Sequence, residues 1–195
     1  MRVFIAVLVL IFSLQSWTKA DDIRDFQIEG ISIGDSLLDH FSESKIKKQL
    51  SKTSSTYSDN KFKRVWIPIE NYKTYKQMNF HYKNDASYRI VNLSGNIIYR
   101  KNFSECSKKQ KEIADDIQNI FPNLKMSMSD RTHRADKTGN SKVKYISFKL
   151  KKGNILISCT DWGNQITKEK KWIDNLSVRF DTSEYRDWLK NKAYK

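Results

Sequence analysis

The sequence predicts an α+β domain, in which an antiparallel sheet of two meanders carries helices mainly on one face and is joined to them by a single disulfide. Three observations lead to this class. Several short segments alternate apolar and polar residues, as half-buried strands do. A long amphipathic segment, residues 103–121, follows the first group of these segments, and the chain holds two cysteines. Strands grouped before helices favour an antiparallel α+β arrangement over a βαβ alternation.

Residues 103–121 form the central helix of this prediction. Cys106 recurs at helical spacing with Ile113 and Ile117, so the cysteine shares the apolar face of the helix. The other cysteine, Cys159, ends the run 155–159, whose alternation places it on the apolar side of a strand. We therefore predict a Cys106–Cys159 disulfide that fastens the helix to the sheet.

Alternation of apolar residues predicts the strands of both meanders. Pro68 lacks a backbone N–H, so the strand that contains it is expected at a sheet edge or to end there. Ser94-Gly95 is a turn signal that divides one stretch into a hairpin. The first meander is expected at residues 62–69, 75–82, 88–93 and 96–100, and the second at residues 142–150, 155–159 and 174–180.

The remaining segments carry weaker signals. Residues 123–141 are polar and lack periodicity, which predicts a flexible connection. Residues 160–171 are expected to form a polar loop that carries Trp162. A last helix follows Asp181 and Glu184, whose spacing is that of a capping box.

The N-terminus has the pattern of a secretory signal peptide. Arg2 precedes an apolar run at residues 3–14, and Thr18-Lys19-Ala20 supplies small residues before a cleavage site. The apolar run is too short for a comfortable membrane span. We therefore expect residues 1–20 to be a signal peptide and residues 21–195 to form a single soluble domain, periplasmic or secreted. Because such compartments are oxidising, they favour a structural disulfide.

The charge balance is strongly basic. The net charge of +14 falls to +12 when a leader that carries Arg2 and Lys19 is removed. A basic surface disfavours cationic partners and favours weak association with anionic lipids or polysaccharides. The 27 lysines outnumber the nine arginines, whereas bidentate phosphate recognition favours arginine. The composition therefore predicts no specific nucleic-acid partner.

Two strings match a hydrolase pattern. Gly34-Asp35-Ser36-Leu37 and the Asp130/His133 pair, spaced as Asp-x-x-His, resemble motifs of the GDSL (SGNH) hydrolases. The resemblance implies a serine esterase with Ser36 as nucleophile, His133 as base and Asp130 as the residue that orients the base. The chain departs from that family because 62 residues follow His133 and because the family's Gly-x-Asn-Asp block is absent. The other interpretation is that Ser36 caps a short helix.

A second resemblance covers more of the chain. The start Phe-Gln-Ile-Glu-Gly-Ile-Ser-Ile-Gly-Asp-Ser-Leu-Leu-Asp, residues 26–39, resembles that of small uncharacterised exported proteins from bacteria with AT-rich genomes. The resemblance extends through the Cys106 helix and the turn Cys159-Thr160-Asp161-Trp162. It implies export and a bacterial origin, and it implies no mechanism.

Two groups of side chains are candidates for binding. Gln77, Asn79 and His81 are expected to project from one strand face, with Tyr75 beside them, as a mixture suited to a sugar or a peptide. The alternative is an ordinary solvated strand face. Asp161 and Trp162 form the second group, just past the disulfide anchor, where a rigid base suits a recognition loop. The alternative for Trp162 is packing over the sheet edge. The sequence predicts no metal site and no cofactor, because its three histidines are isolated and it lacks a glycine-rich phosphate loop.

These observations predict a non-catalytic binding or interaction module of the bacterial cell envelope. Its partner would be an envelope protein or an anionic polymer. Two alternatives stay open, a GDSL-like serine esterase and a basic module that attaches to an anionic polymer or membrane surface. Steep weakening of binding by salt is the property that marks the basic module.

Overall fold

The computed structural model describes residues 22–50, 57, 59–68, 74–75 and 77–193, so the proposed signal peptide lies outside the described residues. Within these ranges no helix combines the length and the apolar character needed to cross a membrane. The strands are β1 (Gln27–Ile28), β2 (Ile31–Ser32), β3 (Phe62–Ile67), β4 (Gln77–Lys83), β5 (Ile90–Ile98), β6 (Lys125–Thr132), β7 (Lys142–Lys149), β8 (Gly153–Asp161) and β9 (Asn175–Thr182). The α-helices are α1 (Glu43–Leu50), α2 (Phe103–Ile120), α3 (Asn164–Lys170) and α4 (Ser183–Asn191).

Seven strands form one antiparallel sheet in the order β3-β4-β5-β9-β8-β7-β6. Strands β3 to β5 form one meander and β6 to β9 form a second, as predicted for residues 142–150, 155–159 and 174–180. The last strand of the second meander, β9, pairs with β5, the last strand of the first. This arrangement confirms the predicted α+β class and the antiparallel sheet. β9 is the strand that makes one sheet from the two meanders.

The main core lies between the sheet and α2. Phe148, Ile157 and Phe180 are buried there, on alternate positions of β7, β8 and β9. The predicted disulfide between Cys106 and Cys159 is confirmed, with a Cα–Cα distance of 5.9 Å. It joins the first part of α2 to the end of β8, so the helix is covalently held against the centre of the sheet.

α4 packs on the opposite face of the sheet and is the exception to the predicted one-sided packing. Its buried Tyr185 and Trp188 lie against Phe62 of β3 and contribute to a second, smaller core. The Trp188 indole N–H donates to both carboxylate oxygens of Asp59 at 2.9 Å. Thr182 caps the helix by accepting a hydrogen bond from the N–H of Tyr185, where the sequence pointed to Asp181.

The prediction of a hairpin at Ser94-Gly95 was wrong. β5 runs without a break from Ile90 to Ile98, and Gly95 pairs with both Met78 and Val178. The ring of Tyr75 lies directly over Gly95, so close that an added Cβ would sit 2.5 Å from the ring atom Cδ1. This glycine therefore provides space for an aromatic ring, and it makes no turn.

Replacing Gly95 with alanine is expected to destabilise the protein by about 1–3 kcal/mol, because the buried Tyr75 ring has to move. Urea unfolding of the single variant measures this loss. Removing the ring in a Tyr75→Ala background takes away the clash, so the losses of the two single variants should not add in the double variant. Losses that add to within about 0.5 kcal/mol would show that the two residues are not coupled.

The prediction of a flexible connection at residues 123–141 was also wrong for eight of its nineteen residues. Residues Lys125–Thr132 form β6, the edge strand, and all eight of them are exposed. An edge strand with solvent on both faces needs no apolar alternation, which is why periodicity did not indicate it. In the same way, the predicted loop at residues 160–171 contains the end of β8 and all of α3.

Candidate binding face

Ser36 is part of a tight turn. Its hydroxyl donates to the carbonyl oxygen of Ser87 at 2.8 Å and accepts from the N–H of Leu38 at 3.2 Å. Its own N–H donates to the carboxylate of Asp39 at 3.1 Å, which completes a capping box for a 3-10 turn at Leu37–Asp39. The Gly-Asp-Ser-Leu string therefore satisfies the hydrogen bonds of a turn.

The structure does not bring Ser36 and His133 together. Ser36 bridges to Arg89 at the start of β5, whereas His133 follows β6, four strands away across the sheet. The two also lie at opposite ends, because the start of β5 is in register with Lys125, at the far end of β6. Strand spacing and rise place them on the order of 30 Å apart. Asp130 is exposed on β6, opposite Lys144. These three residues do not form a catalytic triad.

His133 contributes instead to an aromatic group beside the Asp161 loop. Its ring centroid lies 4.4 Å from that of Trp162, which in turn lies 4.6 Å from that of Trp172. The backbone N–H of Trp162 donates to the Asp174 carboxylate at 2.8 Å. Burial and the charge of Asp174 raise the pKa of Asp161 above its ordinary value.

Asp161 and Trp162 line a shallow depression of about 520 Å³. Its wall is braced by Ser141, whose hydroxyl accepts from the N–H of Gly163 at 2.9 Å and donates to Asp136 at 2.6 Å. Hydrogen bonds from Ser141 and Thr138 lower the pKa of Asp136 to about 2. The tilted ring contacts and the hydrogen-bonded loop both pack against this corner. Trp162 is thereby half-buried among aromatic rings.

Gln77, Asn79 and His81 share one face of β4, but they differ in exposure. Gln77 is exposed, Asn79 is half-buried, and His81 is only 5% exposed beneath Tyr185 of α4. Tyr75 lies on the opposite face, in the main core. His81 therefore has no access to a ligand, and the polar surface begins at Asn79.

Asn79 belongs to a row of side chains that crosses all seven strands. Pairing of neighbouring strands puts Trp66 opposite Asn79, Asn79 opposite Ser94, and Ser94 opposite Arg179. The same row continues through Leu156, Ser147 and Ser127 on the other meander. The Ser127 and Ser147 hydroxyls are 2.8 Å apart, as expected for side chains on the same face.

A second row runs beside the first, two residues along each of the six strands β4 to β9. We call the two rows together the neutral face. It is made of thirteen side chains: Trp66, Gln77, Asn79, Ser94, Asn96, Ser127, Ser129, Tyr145, Ser147, Leu156, Ser158, Ser177 and Arg179.

The neutral face differs from the rest of the chain in charge. Charged residues make up 30% of the sequence, yet Arg179 is the only one among the thirteen, and its Nε donates to Asp181 at 3.1 Å. The face contains no lysine and no carboxylate. Since six strand spacings separate β3 from β6, the face is about 29 Å long. α4 bounds it along one side, where Tyr185 covers His81.

Two polar atoms at the Trp66 end of the face have no hydrogen-bond partner among the residues that the structure describes. The Arg64 Nε and the Asn79 Oδ1 are both enclosed by protein, and neither forms a hydrogen bond within the described residues. Arg64 precedes Trp66 by two positions on the same side of β3, and its guanidinium lies 5.7 Å from the Trp66 ring centroid. Because buried polar atoms are nearly always paired in folded proteins, this end of the face has unused hydrogen-bonding capacity.

Buried side chains hold Arg179 in place from behind. Asp181 accepts from Arg179 and from the amide of Asn92, and the Asn92 Oδ1 accepts from Nδ1–H of His81 at 2.6 Å. The other ring nitrogen of His81 accepts from the Tyr57 hydroxyl at 2.6 Å. His81, predicted to bind a ligand directly, instead supports Arg179 of the neutral face through Asn92 and Asp181.

Sequence patterns selected Gln77 and Asn79 but not the rest of this surface. Polar residues at alternate positions, such as Ser94 and Asn96, were a usable signal. This alternation does not indicate one strand if Ser94-Gly95 is interpreted as a turn. The rows themselves come from the pairing of seven strands, which alternation within one strand does not specify.

The described residues contain no group of three or more His, Cys, Asp or Glu side chains arranged to hold a metal ion. Comparisons of the chain with protein-family models, with curated proteins and with solved structures give no match.

Proposed function

We propose that this chain is a non-catalytic binding module of the bacterial cell envelope, exported to the periplasm or beyond, and that it binds its partner through the neutral face. The observation that carries the proposal is an open sheet face from which charged groups are almost excluded, in a lysine-rich chain. An ordinary solvated face in such a chain would carry lysines and carboxylates.

Two further features support this proposal. The disulfide agrees with export, because a buried structural disulfide forms and persists in an oxidising compartment. Trp66, 37% exposed, provides a large apolar ring among neutral polar groups, and such rings are enriched where proteins bind partners. Since the site is built on paired strands, its side chains are held before the partner arrives.

Hydroxyl-radical footprinting tests the proposal. The oxidised protein is labelled alone and with the protein, lipid and polysaccharide fractions of a bacterial envelope, each added separately. Binding through the neutral face is expected to lower the oxidation of Trp66 several-fold with at least one fraction. Trp172, which is 39% exposed and lies off this face, is the matched internal control. If no fraction protects Trp66, or if every fraction protects both tryptophans equally, the neutral face is not the binding surface.

A further inference from the structure

We infer that the neutral face binds an uncharged polysaccharide, laid across the strands along the 29 Å length of the face. This inference rests on the proposed function and adds the chemical class of the ligand. It follows from the charge, the hydrogen-bonding groups and the apolar surface of the face.

The charge of the face favours a neutral ligand. The chain carries a net charge of +14, so a polyanion would be drawn to its lysines and arginines. None of the lysines lies among the thirteen residues of the neutral face, and the Arg179 guanidinium is already paired with Asp181. Within the two rows an anionic polymer would meet no unpaired cation, because Arg64 lies beside Trp66 but outside the rows; a neutral polymer has no charge to satisfy.

The side chains of the face match the hydroxyl groups of a sugar. Serine hydroxyls and the amides of asparagine and glutamine each donate and accept hydrogen bonds, as sugar hydroxyls do. Nine of the thirteen residues are of these three types: Gln77, Asn79, Ser94, Asn96, Ser127, Ser129, Ser147, Ser158 and Ser177. Ser94 is only 5% exposed, so the other eight side chains are the ones open to a ligand that is hydroxylated along its length, on every strand except β3, which contributes Trp66.

The unpartnered atoms identify where binding is centred. Arg64 Nε is a donor and Asn79 Oδ1 is an acceptor, so a ligand hydroxyl can accept from the first or donate to the second. Both residues are half-buried overall, so part of each side chain reaches the surface at this end of the face. Trp66 lies directly opposite Asn79 and two positions after Arg64 on β3, where its ring can pack against the C–H face of a sugar.

The other aromatic residue of the face is already occupied. The guanidinium of Arg131 lies over the ring of Tyr145, 4.4 Å from its centroid. The Arg64 guanidinium lies farther from the Trp66 ring, 5.7 Å from its centroid, and Trp66 is 37% exposed, so we assign the stacking platform to Trp66. Tyr145 can still contribute its hydroxyl. Trp66 provides the stacking ring and Asn79 the unpaired acceptor, so we expect their removal to weaken polysaccharide binding most.

Native affinity electrophoresis tests the inference with a defined panel of polymers. The oxidised protein is run in gels that contain a neutral polysaccharide (dextran, a soluble β-glucan or glycol chitin) or an anionic one (alginate). We expect retardation by at least one neutral polymer. Trp66→Ala and Asn79→Ala are each expected to weaken it about tenfold or more. Trp172→Ala and Asn119→Ala, matched variants at exposed positions off the face, should leave it unchanged.

Salt and footprinting separate the possible outcomes. Binding to a neutral polymer should persist between roughly 50 and 500 mM salt, whereas retardation by alginate alone, lost over that range, would overturn the inference. Retardation that Trp66→Ala and Asn79→Ala leave intact would also overturn it. If Trp66 is protected by envelope protein or lipid but by no polysaccharide, the proposed function stands and the glycan class is wrong. If nothing protects Trp66, both fail.

Discussion

Loss of the Cys106–Cys159 disulfide is expected to lower the free energy of unfolding by about 4 kcal/mol, the chain-entropy value for a closed loop of 53 residues. The bond joins α2 to β8 and so limits how far the unfolded chain can separate these two elements. A loss of this size is a large part of the stability of an ordinary domain. Urea unfolding of the oxidised protein, the reduced protein and the Cys106→Ala/Cys159→Ala double variant measures it.

The three samples distinguish loop closure from packing. Both cysteines are buried, so the double variant also loses two sulfur atoms from the core, whereas the reduced protein keeps them. We expect the reduced protein to account for most of the loss, and the double variant to be insensitive to reductant. A reduced protein with two alkylatable thiols and unchanged unfolding would show that the disulfide adds no stability.

Acidification from pH 7 to pH 5 is expected to destabilise the protein by about 2 kcal/mol through His81. Burial lowers the pKa of His81 from 6.5 to about 3, and the charges of Arg64 and Arg179 act in the same direction. His81 therefore stays neutral in the folded protein but takes up a proton when the chain unfolds. Its contribution is fully present above pH 6.5 and is lost as the pH falls from 6.5 towards 3.

Matched histidine variants test this assignment. Gln in place of His81 can donate to Asn92 and accept from Tyr57, as the neutral ring does, but it does not titrate. His81→Gln is therefore expected to remove most of the loss between pH 7 and pH 5, although it costs some stability at pH 7. Burial also lowers the pKa of His133, so His133→Gln is the control. It should keep most of the loss of stability between pH 7 and pH 5. Equal slopes in wild type and His81→Gln would contradict the assignment.

Local periodicity identified the elements that have one buried and one exposed face. α2 was expected at residues 103–121 and lies at Phe103–Ile120, and β7 was expected at residues 142–150 and lies at Lys142–Lys149. Periodicity failed where burial does not alternate. β6 is exposed on both faces, and Gly95 gives a turn signal inside a strand because its role depends on Tyr75, twenty residues earlier.

The sequence alone determined the class of the fold and the faces of its elements, including the two apolar faces that the disulfide joins. Only the tertiary structure decided the order of the strands. Insertion of β9 between β5 and β8 places Arg179 beside Ser94 and joins the two halves of the neutral face. Strand order is selected by long-range backbone pairing and burial. An alternating pattern records which side of a strand is buried, and not which strand lies next to it.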